Sequence, residues 1–202
     1  MVARRRTTWR TQLRFDSPLD VDEVPEFHAA RLLLLLRFCG GGKHYLIRGR
    51  TKLAKLDFFT RYPRFLEVAL RKLAETGQRV PAYAAGTEGV EASMVRYRFG
   101  PWDHRFYNVL SFLRSRSLIT VTTTANTENY TLTDAGRQIA EQFAVEEAFA
   151  PVVSRCRVIA DVLGGKSGTE LKDFIYTTFV DEVAALHQGT VISYPETSRG
   201  GQ

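Results

Sequence analysis

Three observations in the sequence predict a mainly α protein with a small β-hairpin. Apolar residues recur at helical spacing through most of the chain. Two runs rich in β-branched residues, "LITVTTT" and "NYTLT", flank the polar "ANTEN" and read as a two-stranded ribbon. The chain has 202 residues, 44% of them hydrophobic and 25% charged, which is an ordinary globular composition. That length can bury a sizeable core without staples.

Taken in order, residues 1–14 ("MVARRRTTWRTQLR") form a basic arm without a helical stripe. Arms of this kind order when they meet an anion. No apolar run follows that would make a secretory signal. "FDSPLDVDEVPEF" is turn-rich, because Ser17 and Val24 each precede a proline and are pushed out of helical geometry. A buried helix is predicted over Glu26 to Cys39, apolar nearly all round and stopped by Gly40, Gly41 and Gly42. Its "LLLLL" is far too short to cross a bilayer, and Arg31 and Arg37 flank it. The expected location is therefore the cytoplasm, with no membrane partner. There Cys39 and Cys156 are expected as two buried thiols.

"RTKLAKLDFFTRY" carries Leu53, Leu56 and Phe59 on one helical face, with Lys52, Lys55 and Arg61 elsewhere. Pro63 then opens a helix whose stripe is Phe65, Leu66, Ala69, Leu70 and Leu73 and which Gly77 ends. After a loop, "VRYRFGPWDHRFYNVLSFLRSRSLI" reads as a short strand, a Gly-Pro break and a helix from Trp102. Trp102, Phe106, Val109, Leu110 and Leu113 form its dry back, while His104, Asn108, Ser111 and Ser115 form a hydrogen-bonding front. The hairpin follows, and Thr133 is placed to cap a helix starting at Asp134. Two or three further helices occupy the stretch to about residue 188.

Helix, helix, helix and ribbon is the winged-helix order. A short hairpin cannot bury its own face and must lie on the helices before it. The expected architecture is thus a winged-helix-like core over residues 15–140, with extra C-terminal helices over 141–188 and a flexible tail over 189–202. In that architecture the helix from Trp102 takes the recognition position.

Charge divides the chain. Residues 1–116 carry 22 Lys and Arg against 11 Asp and Glu, whereas residues 117–202 carry 6 against 11. The basic part suits phosphate and the acidic part repels it. Uneven solvation with no partner is the simpler account of the same numbers. The nucleic-acid-binding candidates are Arg4, Arg5, Arg6 and Arg10 on the arm, and Lys52, Lys55, Arg61 and Arg64 around the second helix. His104, Arg105, Asn108 and Arg114 join them on the recognition helix. Asp103, at the tip of that helix, repels phosphate and favours sequence-independent contact over base reading.

Motifs for catalysis are weak. "GGKSG" at Gly164–Gly168 lacks the Walker glycine, since Ala160 stands there, and follows a helical pattern. Gly164 as a helix stop, with Ser167 and Glu170 as a capping box, explains it better. His28, His44, His104 and His187 have no zinc-ligand spacing, and no nucleophile elbow occurs. The expectation is a chain that is not an enzyme and has no metal or cofactor.

Three stretches together resemble a family: "RFDSPLDV" leading into a leucine-rich helix, "RGRTKLAKLDFFTRYPRFLEVAL", and "VRYRFGPWDHRFYNVLSFLRSRSLI" followed by "YTLTDAG". They are similar to the middle component of bacterial three-component ABC-ATPase systems, which include the small accessory subunit of Lamassu-type antiphage defence. The resemblance spans roughly residues 14–140, and the acidic "DVDEVPEF" departs from the family pattern. It implies a non-catalytic subunit that bridges an SMC-like ABC ATPase and an effector, often a nuclease. It also brings the chain near double-stranded DNA. Phe143, Phe149, Phe174 and Phe179 are the candidate partner-binding residues; apolar helix stripes are usually core, which is the competing account of them. The alternative function is a stand-alone winged-helix transcriptional regulator.

Overall fold

Leu32 to Leu36 leave no polar face on the first helix, so that helix needs neighbours on every side. The computed structural model supplies them. It describes residues 25–83, 94–97 and 100–192. Helix α1 (Pro25–Cys39) packs against α2 (Arg50–Arg61), α4 (Phe106–Ser115), α5 (Asp134–Phe143) and α6 (Ala150–Val162). All five leucines are at most 1% exposed.

Helix α3 (Pro63–Glu75) follows α2 without a linker, because Pro63 cannot continue α2 but suits the first position of a new helix. Its stripe Phe65, Leu66, Ala69, Leu70 and Leu73 is buried as the spacing predicts, and Glu67 and Arg71 pair at 3.7 Å on the outside. Helix α7 (Gly168–Thr178) lies against α2, and a π-helical turn (Val180–Ala184) continues it. The molecule is mainly helical with little sheet.

The sheet has three antiparallel strands in the order β1, β5, β4, where β1 is Ile47–Arg48, β4 is Ile119–Thr124 and β5 is Thr127–Leu132. Ile47 sits opposite Tyr130, and Ile119 opposite Leu132. The hairpin is tighter than expected: most of "ANTEN" is strand, and only Ala125 and Asn126 turn, both at positive φ. A separate ribbon pairs β2 (Val95–Tyr97) with β3 (Gly100–Trp102).

Two expected boundaries move. Residues 189–192, assigned to the tail, lie along β2: Arg96 N–H donates to the Thr190 carbonyl at 2.8 Å, and Ile192 N–H to that of Met94 at 2.9 Å. The 140/141 boundary falls inside α5, and α5 to α7 share one apolar core with α1 and α2. Among the described residues no helix is long and apolar enough to cross a membrane. Cys39 and Cys156 are free and buried.

Candidate nucleic-acid interface

Helix α4 starts later than the sequence suggests, at Phe106, because Trp102 is held in β3 and Asp103 ties down the turn. Asp103 Oδ1 accepts from the Arg105 backbone N–H at 2.8 Å, and the Phe106 N–H donates to the Asp103 carbonyl at 3.1 Å. The expected back of the helix is buried at Phe106, Val109, Leu110 and Leu113. The front is outward: His104, Tyr107, Asn108, Ser111, Arg114 and Ser115 are exposed.

Beside this front, Arg50, Tyr107, Leu110, Ser111, Arg114, Val121, Glu128 and Tyr130 line a cleft of about 140 Å³. The N-terminal turn of α2, the face of α4 and the hairpin β4–β5 form its three walls. Arg50 donates to the Tyr107 hydroxyl at 2.7 Å, stacks 5.0 Å over the Tyr107 ring and approaches Glu128 at 3.3 Å. Tyr130 donates through its hydroxyl to the same carboxylate oxygen, Glu128 Oε2, that Arg50 Nε approaches. Burial, then the Glu128 carboxylate, raises the Tyr130 phenol above its ordinary range. Arg114 makes no ion pair among the described residues. The cleft therefore offers one guanidinium held in place and one open to solvent.

Sequence reasoning selected Arg114 and missed Arg50 and Tyr107. Arg50 stands three residues before Leu53, ahead of the apolar stripe, where nothing in the local pattern marks it. Tyr107 lies between the back and front of α4, where the helical period assigns no role. Only the return of the hairpin beside α4 brings the two together.

Several selected cations are elsewhere. Lys55 and Arg61 are each 2% exposed and cannot reach a phosphate. Lys55 Nζ donates to the Pro101 carbonyl at 2.9 Å, and burial alone lowers its pKa to about 7. Arg61 is locked to Asp103 at 2.6 Å. Burial works to raise the Asp103 carboxyl, but hydrogen bonds from Arg105 and Arg61 override it and hold it well below the usual carboxylate range. Arg105 is thereby also engaged, with Nη2 3.0 Å from Asp103. Lys52 donates to the Gly164 carbonyl at 2.6 Å, just past the end of α6. Arg64 is half-buried in the first turn of α3. Arg4, Arg5, Arg6 and Arg10 lie outside the described residues.

The aromatic candidates divide. Phe179 is 1% exposed, with its ring 4.9 Å from Phe65, 6.4 Å from Phe59 and 6.5 Å from Phe58, so it is core and not surface. Phe174 is half-buried on the edge of that cluster, 6.4 Å from Phe59. Phe143 and Phe149 are half-buried against each other at 4.7 Å. The "GGKSG" segment forms the capping box that its spacing predicts: Glu170 N–H donates to Ser167 Oγ, and Ser167 N–H to the Glu170 carboxylate. Among the described residues no group of three or more His, Cys, Asp and Glu is arranged to hold a metal ion. No known protein family, curated protein or solved structure matches the chain.

Proposed function

We propose that this chain is a winged-helix-like, non-catalytic subunit that lays the front of α4 and the adjoining hairpin against the backbone of double-stranded DNA. It does so within a complex built on an SMC-like ABC ATPase and an effector. The observation that carries this reading is the outward polar front of α4 beside the cleft of Arg50, Tyr107, Ser111 and Arg114. The chain order α1, β1, α2, α4, β4, β5, with β5 central in the sheet, supports a winged-helix core. In that frame α3 and the β2–β3 ribbon are an insertion before the recognition helix.

The chemistry favours phosphate over bases. A phosphate entering the cleft meets Arg114 directly and competes with Glu128 for Arg50, giving charge-assisted hydrogen bonds that carry no sequence information. Arg105, the side chain best suited to a guanine, is held by Asp103. This weighs against the transcriptional-regulator reading, which needs an operator preference of about 10³ or more over bulk DNA.

The complex is tested by co-migration. The purified chain and an SMC-like ABC ATPase from the same genome, mixed at modest salt on a sizing column, are expected to elute together, with no turnover by the chain alone. Separate elution removes the ATPase from the reading.

A further inference from the structure

At the corner where α1 begins, α5 ends and α6 begins, the Phe149 ring stacks on Phe27 at 6.1 Å and meets Phe143 at 4.7 Å. All three rings are half-buried, and Val145 beside them is 85% exposed. Burying an apolar side chain is favourable, yet here the chain turns Val145 outward at the rim of an aromatic group. The surroundings are acidic. Glu26, Glu141, Glu146 and Glu147 are exposed on the segments that carry these rings. Glu26, Glu146 and Glu147 make no ion pair among the described residues, and Glu141 has only a 3.9 Å approach from Arg37. In a chain of net charge +6, this is a local reversal of sign.

We propose that this corner docks a basic amphipathic helix of a partner protein, its apolar face on Phe27, Phe143, Val145 and Phe149 and its Lys or Arg residues over the four glutamates. Three or four anchors at one end of a helical bundle match one face of a helix read at i, i+3, i+4 and i+7. The glutamates select the partner's charge: they attract a basic helix and repel an acidic one, so sign supplies specificity while the aromatics supply contact area. The corner belongs to α1, α5 and α6, not to the α4 cleft, so a partner and DNA occupy different surfaces. The inference rests on the reading of the chain as a subunit, but its test contains neither DNA nor ATPase and stands or falls separately.

The test uses the full chain and a fluorescent synthetic amphipathic peptide of leucine and lysine, about 14 residues or roughly four helical turns long. A leucine and glutamate peptide of the same pattern is the control. Anisotropy is expected to show binding of the first peptide and not the second. Val145→Asp, and separately the pair Glu146→Lys and Glu147→Lys, change exposed side chains, leave the fold intact and are each expected to weaken binding by about tenfold or more. Absence of binding, equal binding of the two peptides, or unchanged binding to both variants overturns the proposal. So does binding that emerges only after residues 1–24 are removed, which would make the chain's own basic segment the occupant.

Discussion

Among the described residues Lys55 has one hydrogen-bond partner, the Pro101 carbonyl, and it is nearly excluded from water. Gly100, at φ +102°, makes room for it: a Cβ there would lie 3.2 Å from Nζ. Burial disfavours the ammonium and lowers the folded-state pKa to about 7, while the unfolded chain keeps the ordinary value of about 10.4. Between those values the unfolded state binds more protons, so stability rises with pH. From pH 7 to 8.5 this side chain is expected to add roughly 1–2 kcal/mol, its slope climbing from about half to nearly all of the full value of about 1.4 kcal/mol per pH unit. The Cys39 and Cys156 thiols, which burial raises in the fold, work against this rise in wild type and variant alike. Lys55→Met removes that slope and raises stability at pH 7; urea unfolding of both proteins at the two pH values measures it. Equal slopes would show that the amine is solvated in the folded state. Arg61 and Asp103 differ from Lys55 in that each charge has its counter-charge, which is why both remain ionised in the interior. None of these three fates follows from residue type, since a lysine or arginine every third position reads equally well as a wet face.

The "YTLTDAG" segment shows what an element makes of its residues. Tyr130 and Leu132 point from β5 into the core, and Thr133 accepts from the Gly136 N–H at 3.0 Å to cap α5. Gly136 is buried against the backbone of Leu118, where a Cβ would lie 1.9 Å from the carbonyl oxygen. Gly136→Ala must push α5 off the start of β4 and is expected to cost about 2 kcal/mol or more, well outside the range of surface substitutions. A thermal shift of only a degree or two would mean that the approach is slack. The hairpin tip carries the opposite opportunity. Ala125 and Asn126 both take positive φ, at 47° and 61°, in a two-residue turn that favours Asn-Gly. The double change Ala125→Asn and Asn126→Gly is expected to stabilise the fold by about 0.5–1 kcal/mol. Chemical denaturation reads it, and a loss of stability would show that the turn has a different conformation. Local signals of this kind were legible in the sequence: the stripe of α3, the Thr133 cap and the Ser167–Glu170 box all depend on residues within a few positions of each other. The start of α4 was not, because pairing of Trp102 with Val95 in the β2–β3 ribbon decides it.

At the scale of the molecule, the late helices α6 and α7 cover the early basic one. Helix α2 is buried along its length from Leu53 to Arg61, enclosed by α1, α6, α7 and β3. The apparent basic patch of residues 52–61 is thus divided among a carbonyl past the end of α6, the Pro101 carbonyl and the Asp103 carboxylate. Sequence reading could see the division of charge between the two parts of the chain but not that one part folds over the other. That depends on contacts between residues more than a hundred positions apart, such as Lys52 with Gly164. The same folding over leaves the front of α4, the hairpin and Arg50 and Arg114 facing outward, and the account of function depends on that surface. The most direct measurement is fluorescence anisotropy with two unrelated duplexes of equal length, from about 50 to 200 mM salt. The account predicts matching affinities for the two duplexes that fall steeply with salt. It also predicts a loss of about tenfold or more, with a shallower salt slope, in the double variant Arg50→Glu and Arg114→Glu. Binding unchanged in that variant, or confined to one of the two sequences, would contradict it.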